Sequence, residues 1–111
     1  MAITQAMSTL FKKDVLLGDH HLDSDVIMIA LYTSSATLNA TTDGYITSGQ
    51  VNNGNGYTTG GVALASKAVT EDTNSGSTTA GSGIFDADDP QWTSATFTAR
   101  GALIYNKTLG D

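Results

Sequence analysis

Hydrophobic and polar residues alternate most regularly along residues 92–106, WTSATFTARGALIYN. Apolar side chains fall on one side of an extended chain, and serine, threonine and arginine fall on the other. A period of two with aromatic and β-branched residues is typical of a half-buried strand. Gly101 interrupts the apolar side, which indicates a bulge or a close approach of another part of the chain. We therefore predict one long bent strand, or two short ones, whose apolar side closes the core.

Three other segments have the composition of strands. Residues 25–33, DVIMIALYT, are apolar on both faces, which predicts a central strand that is covered on both sides. Residues 61–70, GVALASKAVT, predict a strand whose small side chains suit close packing between two sheets. Residues 83–87 predict a further strand, and residues 86–90, DADDP, predict the turn that follows it.

The N-terminal segment has helical periodicity over residues 4–17. Its apolar stripe consists of Ile3, Met7, Leu10 and Phe11. Thr4 is the predicted cap at the start of the helix, and Gly18 stands where a glycine commonly ends one. Two interpretations remain open: a helix packed on the sheet, or an arm that docks on a neighbouring subunit.

Two segments are polar. Residues 34–56 form a long predicted loop, with turn dipeptides at Asn53-Gly54 and Asn55-Gly56, a tight turn at Asp43-Gly44 and a brief strand at residues 45–47. Loops of this length are commonly functional or disordered, so this one either contacts a neighbouring subunit or is solvated. Residues 71–83 have the composition of a flexible connector.

These elements predict a single domain over residues 1–111, with an N-terminal helix or arm at 1–17 and a β domain at 25–106. The expected fold class is mainly β: a small antiparallel β-sandwich or curved sheet with one N-terminal α-helix. The alternative is an α+β fold built on a single curved sheet.

Composition excludes several classes of function. Only 14% of the residues are charged, and the net charge is −6, which argues against sequence-independent nucleic-acid binding. The sequence has no cysteine, so disulfides and thiolate chemistry are excluded. No apolar run approaches the roughly 20 residues of a membrane span, and residues 1–17 do not fit a secretory signal peptide. We expect a soluble protein without membrane association.

Candidate chemistry is sparse. Adjacent His20 and His21 would point in different directions, so a shared metal is disfavoured and surface or interface histidines are expected. Asp86, Asp88 and Asp89 could hold calcium, although the EF-hand spacing is missing, and a solvated acidic turn is the alternative. No nucleophile or metalloprotease motif is present. We expect no catalytic residue, no cofactor and no metal.

Several motifs together suggest a relationship. YTTGG at 57–61, FDADDPQW at 85–92, TARGALIYN at 98–106 and the opening GDHHLDSDVIMIALYTSS at 18–35 resemble a family of small tailed-bacteriophage virion structural proteins. The resemblance implies a capsid cement or decoration protein on the capsid exterior, made in the host bacterial cytoplasm. Its partner would be the phage major capsid protein, meeting this acidic chain with a basic strip. Self-association as trimers or clusters at local symmetry axes is also expected.

The contacts would come from the N-terminal helix and the long loop. The candidate interface residues are Met7, Leu10, Phe11, Tyr45, Asn53, Asn55 and Tyr57. Two other functions remain open. One is a tail or head-to-tail connector component, and the other is a glycan-binding surface module in which Trp92, Tyr32, Tyr45 and Tyr57 stack on sugars.

Overall fold

A computed structural model describes residues 3, 5–71, 83–92 and 95–109 of the chain. Its elements in chain order are α1 (Thr9–Leu16), β1 (Ile27–Tyr32), β2 (Val62–Ala63), β3 (Ala68–Glu71), β4 (Gly83–Asp86) and β5 (Gly101–Asn106). The predicted class, mainly β with one short N-terminal helix, is confirmed. Apart from its two ends, the predicted connector at 71–83 lies outside the described residues, as does Thr4.

The strands form two antiparallel sheets. A three-stranded sheet has the order β2-β1-β5, so β1 is central, as its two-sided apolar pattern predicts. β1 pairs with β5 along its whole length, from Ile27 opposite Asn106 to Tyr32 opposite Gly101. β3 and β4 form a separate two-stranded sheet whose side chains are mostly exposed.

The core lies on one face of the three-stranded sheet. Its buried residues are Ala30, Tyr32 and Tyr105 from the sheet and Ala36 and Leu38 from the segment after β1. The predicted loop at 34–56 therefore supplies core side chains, although its backbone is irregular. Asn55 and Gly56 have φ of 54° and 94° in a tight hairpin turn, as predicted. The predicted strand at 45–47 is wrong, because these residues pair with no strand among those described.

The prediction for residues 92–106 is only partly correct. Residues 101–106 form β5, but residues 95–100 lie outside strands because β1 ends at Tyr32 and offers no further partner. Gly101 marks a close approach, as expected, but to a side chain. A Cβ at Gly101 would lie 2.9 Å from the Ile3 side chain.

The single strand predicted at 61–70 is also wrong. Ser66 has a φ of 54° and separates β2 from β3, which belong to different sheets. Only Leu64 is buried, so the small side chains do not pack between two sheets: Ala63, Ala65, Ser66 and Ala68 are exposed. Gly61 is nevertheless required, because a Cβ there would overlap the carbonyl oxygen of Ile29.

The helix is shorter than predicted. Ser8 caps it, its hydroxyl accepting a hydrogen bond from the Phe11 N–H. Ile3 instead forms a parallel β-bridge with Leu38, so it is not part of the helical stripe. The end is as expected: Gly18 has φ of 78°, and the N–H groups of Gly18 and Asp19 bond back to Val15 and Asp14 in a Schellman motif.

The side-chain amide of Gln50 fastens the long loop to the sheet. Its oxygen accepts hydrogen bonds from the Tyr57 hydroxyl (2.6 Å) and the Gly60 N–H (2.8 Å), and its nitrogen donates to the Tyr45 hydroxyl (2.8 Å). The Tyr57 hydroxyl in turn accepts from the Leu31 N–H of β1. Burial raises the pKa of Tyr57, so this hydroxyl stays protonated and able to donate.

We expect Gln50→Ala to lower the free energy of unfolding by about 2–4 kcal/mol, because it leaves several half-buried polar groups without partners. Asn53→Ala is the matched control. The exposed Asn53 amide accepts one hydrogen bond, from the Thr59 N–H, and water can replace it. Chemical denaturation of both variants measures the difference, and equal losses would contradict the role of Gln50.

Candidate functional site

An apolar groove of about 690 Å³ separates α1 from β5. Leu10 and Phe11 line its helix wall, and Leu103 and Ile104 line its sheet wall. Phe85 of β4, in the two-stranded sheet, also lines the groove. We call this space the α1–β5 groove. Its walls are mostly hydrophobic, so its chemistry favours the binding of apolar groups.

A buried polar cluster closes one end of the groove. The His20 side chain is 2% exposed and packs against the Phe11 ring, with 4.7 Å between the ring centroids and 44° between the ring planes. Its Nε2 lies 3.9 Å from a carboxylate oxygen of Asp14, too far for a hydrogen bond, and has no hydrogen-bond partner among the described residues. The expectation of a surface or interface histidine is therefore wrong for His20, while His21 is exposed.

Asn106 orients this cluster from β5. Its side-chain oxygen accepts a hydrogen bond from the Leu109 N–H, and its nitrogen lies 3.0 Å from His20 Nδ1 and 2.8 Å from the Asp25 carboxylate. An amide nitrogen can only donate, so Nδ1 is the acceptor and neutral His20 carries its proton on Nε2. The hydrogen bond from Asn106, reinforced by the His21 N–H, holds the pKa of Asp25 below its usual 3.8.

Three of the seven predicted interface residues lie at the groove. Leu10 and Phe11 are half-buried in its wall, and Met7 lies at its rim with 56% of its surface exposed. The structure thus brings together the three predicted interface residues of the N-terminal segment, two on α1 and one just before it.

The other four lie outside the groove lining. Tyr57 is 2% exposed and is corrected to a core residue, because its hydroxyl bonds to Gln50 and Leu31 inside the fold. Tyr45 is half-buried and stacks on Tyr105, at 4.6 Å between ring centroids. Asn53 and Asn55 are exposed, Asn55 within the tight turn that it forms with Gly56 and Asn53 just before that turn.

The aromatic platform proposed for sugars does not form as expected. Tyr32 and Tyr57 are buried, so neither can stack on a ligand at the surface. Trp92 is half-buried and packs near Tyr57, with 6.4 Å between ring centroids. The acidic trio is not assembled as a cation site: across the described ranges, no group of three or more histidine or acidic residues is placed to hold a metal.

Asp14, Asn106 and Ile104 were not predicted as site residues. Asp14 carries a usable signal, because it follows Leu10 and Phe11 at helical spacing and therefore shares their face. Ile104 lies on the side of its strand that the alternation assigns to solvent. Asn106 is polar at the end of a strand, and only the fold brings it to His20.

Comparison with known proteins adds no relative: no family model, no curated protein and no solved structure matches this chain. Within the part of the chain that the structure describes, no helix has the length and hydrophobicity needed to cross a membrane.

We expect Asp25→Asn to lower the melting temperature at pH 7 and to lose this effect in acid. A folded-state pKa below 3.8 stabilises the protein above pH 3.8, and this contribution disappears as pH falls through the folded-state value. Melting curves between pH 7 and 3 test this, with Asp23→Asn as the control for removing one nearby charge. Parallel curves for wild type and Asp25→Asn would contradict it.

Proposed function

We propose that this chain is a structural component of a tailed-phage virion, a cement protein that binds the assembled major capsid protein shell and stabilises it. The motif resemblance supports this assignment, and the surface of α1 agrees with a role in protein binding. We assign the chain no catalytic role and no cofactor.

The observation that carries the proposal is the apolar end of α1. Leu16 is 88% exposed, and Val15 and Leu17 beside it are 47% and 63% exposed. The Schellman motif fixes these side chains on a defined turn. Contiguous exposed apolar residues of this kind mark sites of protein association. Met7, which precedes the opposite end of α1 and is 56% exposed, adds a second exposed apolar side chain at the groove.

Stabilisation of the shell would follow from mass action. A protein that binds the assembled shell, and not its separate subunits, shifts the equilibrium toward assembly. The low proportion of charged residues and the many threonine, serine and asparagine side chains suit an interface with a polar rim around this apolar centre.

We expect Leu16→Asp to weaken binding to assembled shells by roughly tenfold or more, because burying a leucine contributes about 1.5–3 kcal/mol. Co-sedimentation of the purified chain with shells of the parent phage measures the affinity. Ile84→Asp is the control, since Ile84 is 39% exposed on β4 of the two-stranded sheet and lies outside the groove lining.

If Leu16→Asp binds shells as tightly as wild type, the exposed end of α1 is not part of the interface. Failure of the wild-type chain to bind any shell would reject the cement function. Binding to isolated tails or connectors instead would establish the alternative virion location.

A further inference from the structure

β5 is an outer strand of its sheet, and its hydrogen-bonding pattern shows which backbone groups face outward. The Lys107 N–H bonds to the Val26 carbonyl, in step with the β1–β5 register. The Leu31 carbonyl accepts from the Val51 N–H on the opposite side of β1. Alternate residues of β5, namely 101, 103 and 105, therefore pair with β1, and the N–H and C=O groups of Ala102 and Ile104 point away from the sheet.

The outward edge is accessible at these two residues. Ala102 is exposed, Ile104 is 57% exposed, and both line the α1–β5 groove. Further along, Asn106 is buried against His20, which closes that end. The groove thus offers outward-facing backbone donors and acceptors beside apolar walls, the combination to which an extended peptide adds as a strand.

Charge indicates what kind of segment fits. Four of the five basic residues lie on α1 or at the ends of β5: Lys12, Lys13, Arg100 and Lys107. None of the four forms an ion pair with another described residue. Among the described residues the groove lining has no lysine or arginine, and it contains two carboxylates, those of the buried Asp14 and the exposed Asp43. Arg100 and Lys107 stand at the two ends of β5, so a segment paired along β5 meets a positive charge at each end, which favours acidic groups at the ends of that segment. This differs from the basic strip expected on the capsid protein, because that expectation rested on the net charge of −6 alone.

We propose that the α1–β5 groove accepts an extended segment of the shell protein, apolar in its middle and acidic at its ends, which adds as a fourth strand along β5. This inference rests on the proposed cement function and specifies its contact. A small apolar molecule would contact the walls of the groove but would form no hydrogen bonds with the outward N–H and C=O groups of Ala102 and Ile104. An extended backbone satisfies both.

The first test uses proline at position 104. Ile104→Pro removes an N–H that faces outward, so the pairing of β5 with β1 is kept, and proline is tolerated on such edges. Ile104→Val is the matched control, because it keeps both the N–H and an apolar side chain. We expect Ile104→Pro to bind parent-phage shells roughly tenfold more weakly than Ile104→Val. Equal binding by the two variants would overturn the inference.

A second measurement on the wild-type chain covers the case in which Ile104→Pro does not fold. Amide exchange of Ala102 and Ile104 should be fast in the unbound protein and slow on the shell, while Leu103 and Tyr105, already paired with β1, should be slow in both. Unchanged exchange at 102 and 104 on the shell would overturn the inference. Protection that rises with protein concentration and without shells would overturn it by assigning the edge to a second copy.

The two proposals fail differently. If wild-type protein binds shells and both Ile104 variants bind equally, the cement function stands and the strand addition is rejected. If wild-type protein does not bind shells, both are rejected.

The double variant Arg100→Glu, Lys107→Glu should also bind less tightly than wild type, and equal or tighter binding would overturn the acidic character of the segment.

Discussion

The organisation of this fold depends on the side-chain amide of Gln50. The loop at 34–56 has no regular secondary structure to fix its path, so side-chain hydrogen bonds must hold it. The Gln50 amide forms hydrogen bonds with Tyr45, Tyr57 and Gly60. The Tyr57 hydroxyl also accepts a hydrogen bond from a backbone N–H of β1, which links the loop to the sheet. Because the loop is held in this way, Ala36 and Leu38 can complete the core on one face of the sheet.

The α1–β5 groove follows from how α1 is attached. The N–H of Thr9 bonds to the Ala40 carbonyl of the loop, and Phe11, in the same first turn of the helix, packs against His20. Both attachments hold the helix beside β5 without placing it on the strand's outer edge. Asn106 then fixes the histidine against the end of β5, so a polar cluster closes one end of an otherwise apolar space.

Local chemistry was sufficient to predict some of these features. The two-sided apolar run identified β1 as the central strand, and Asn55-Gly56 and Gly18 marked a turn and a helix end because their backbone requires positive φ. Strand lengths could not be predicted, since β5 extends only as far as β1 offers a partner. The His20 cluster could not be predicted from the sequence either, because its members come from α1, the following turn and β5, which are distant along the chain.

Electron cryo-microscopy of the parent virion tests the central claim most directly, by locating this chain at side-chain resolution. We expect density at symmetry-related positions over the whole shell, with the end of α1 buried and a capsid-protein strand beside Ala102 and Ile104. Density confined to the portal vertex or tail, or absence from the particle, would contradict it.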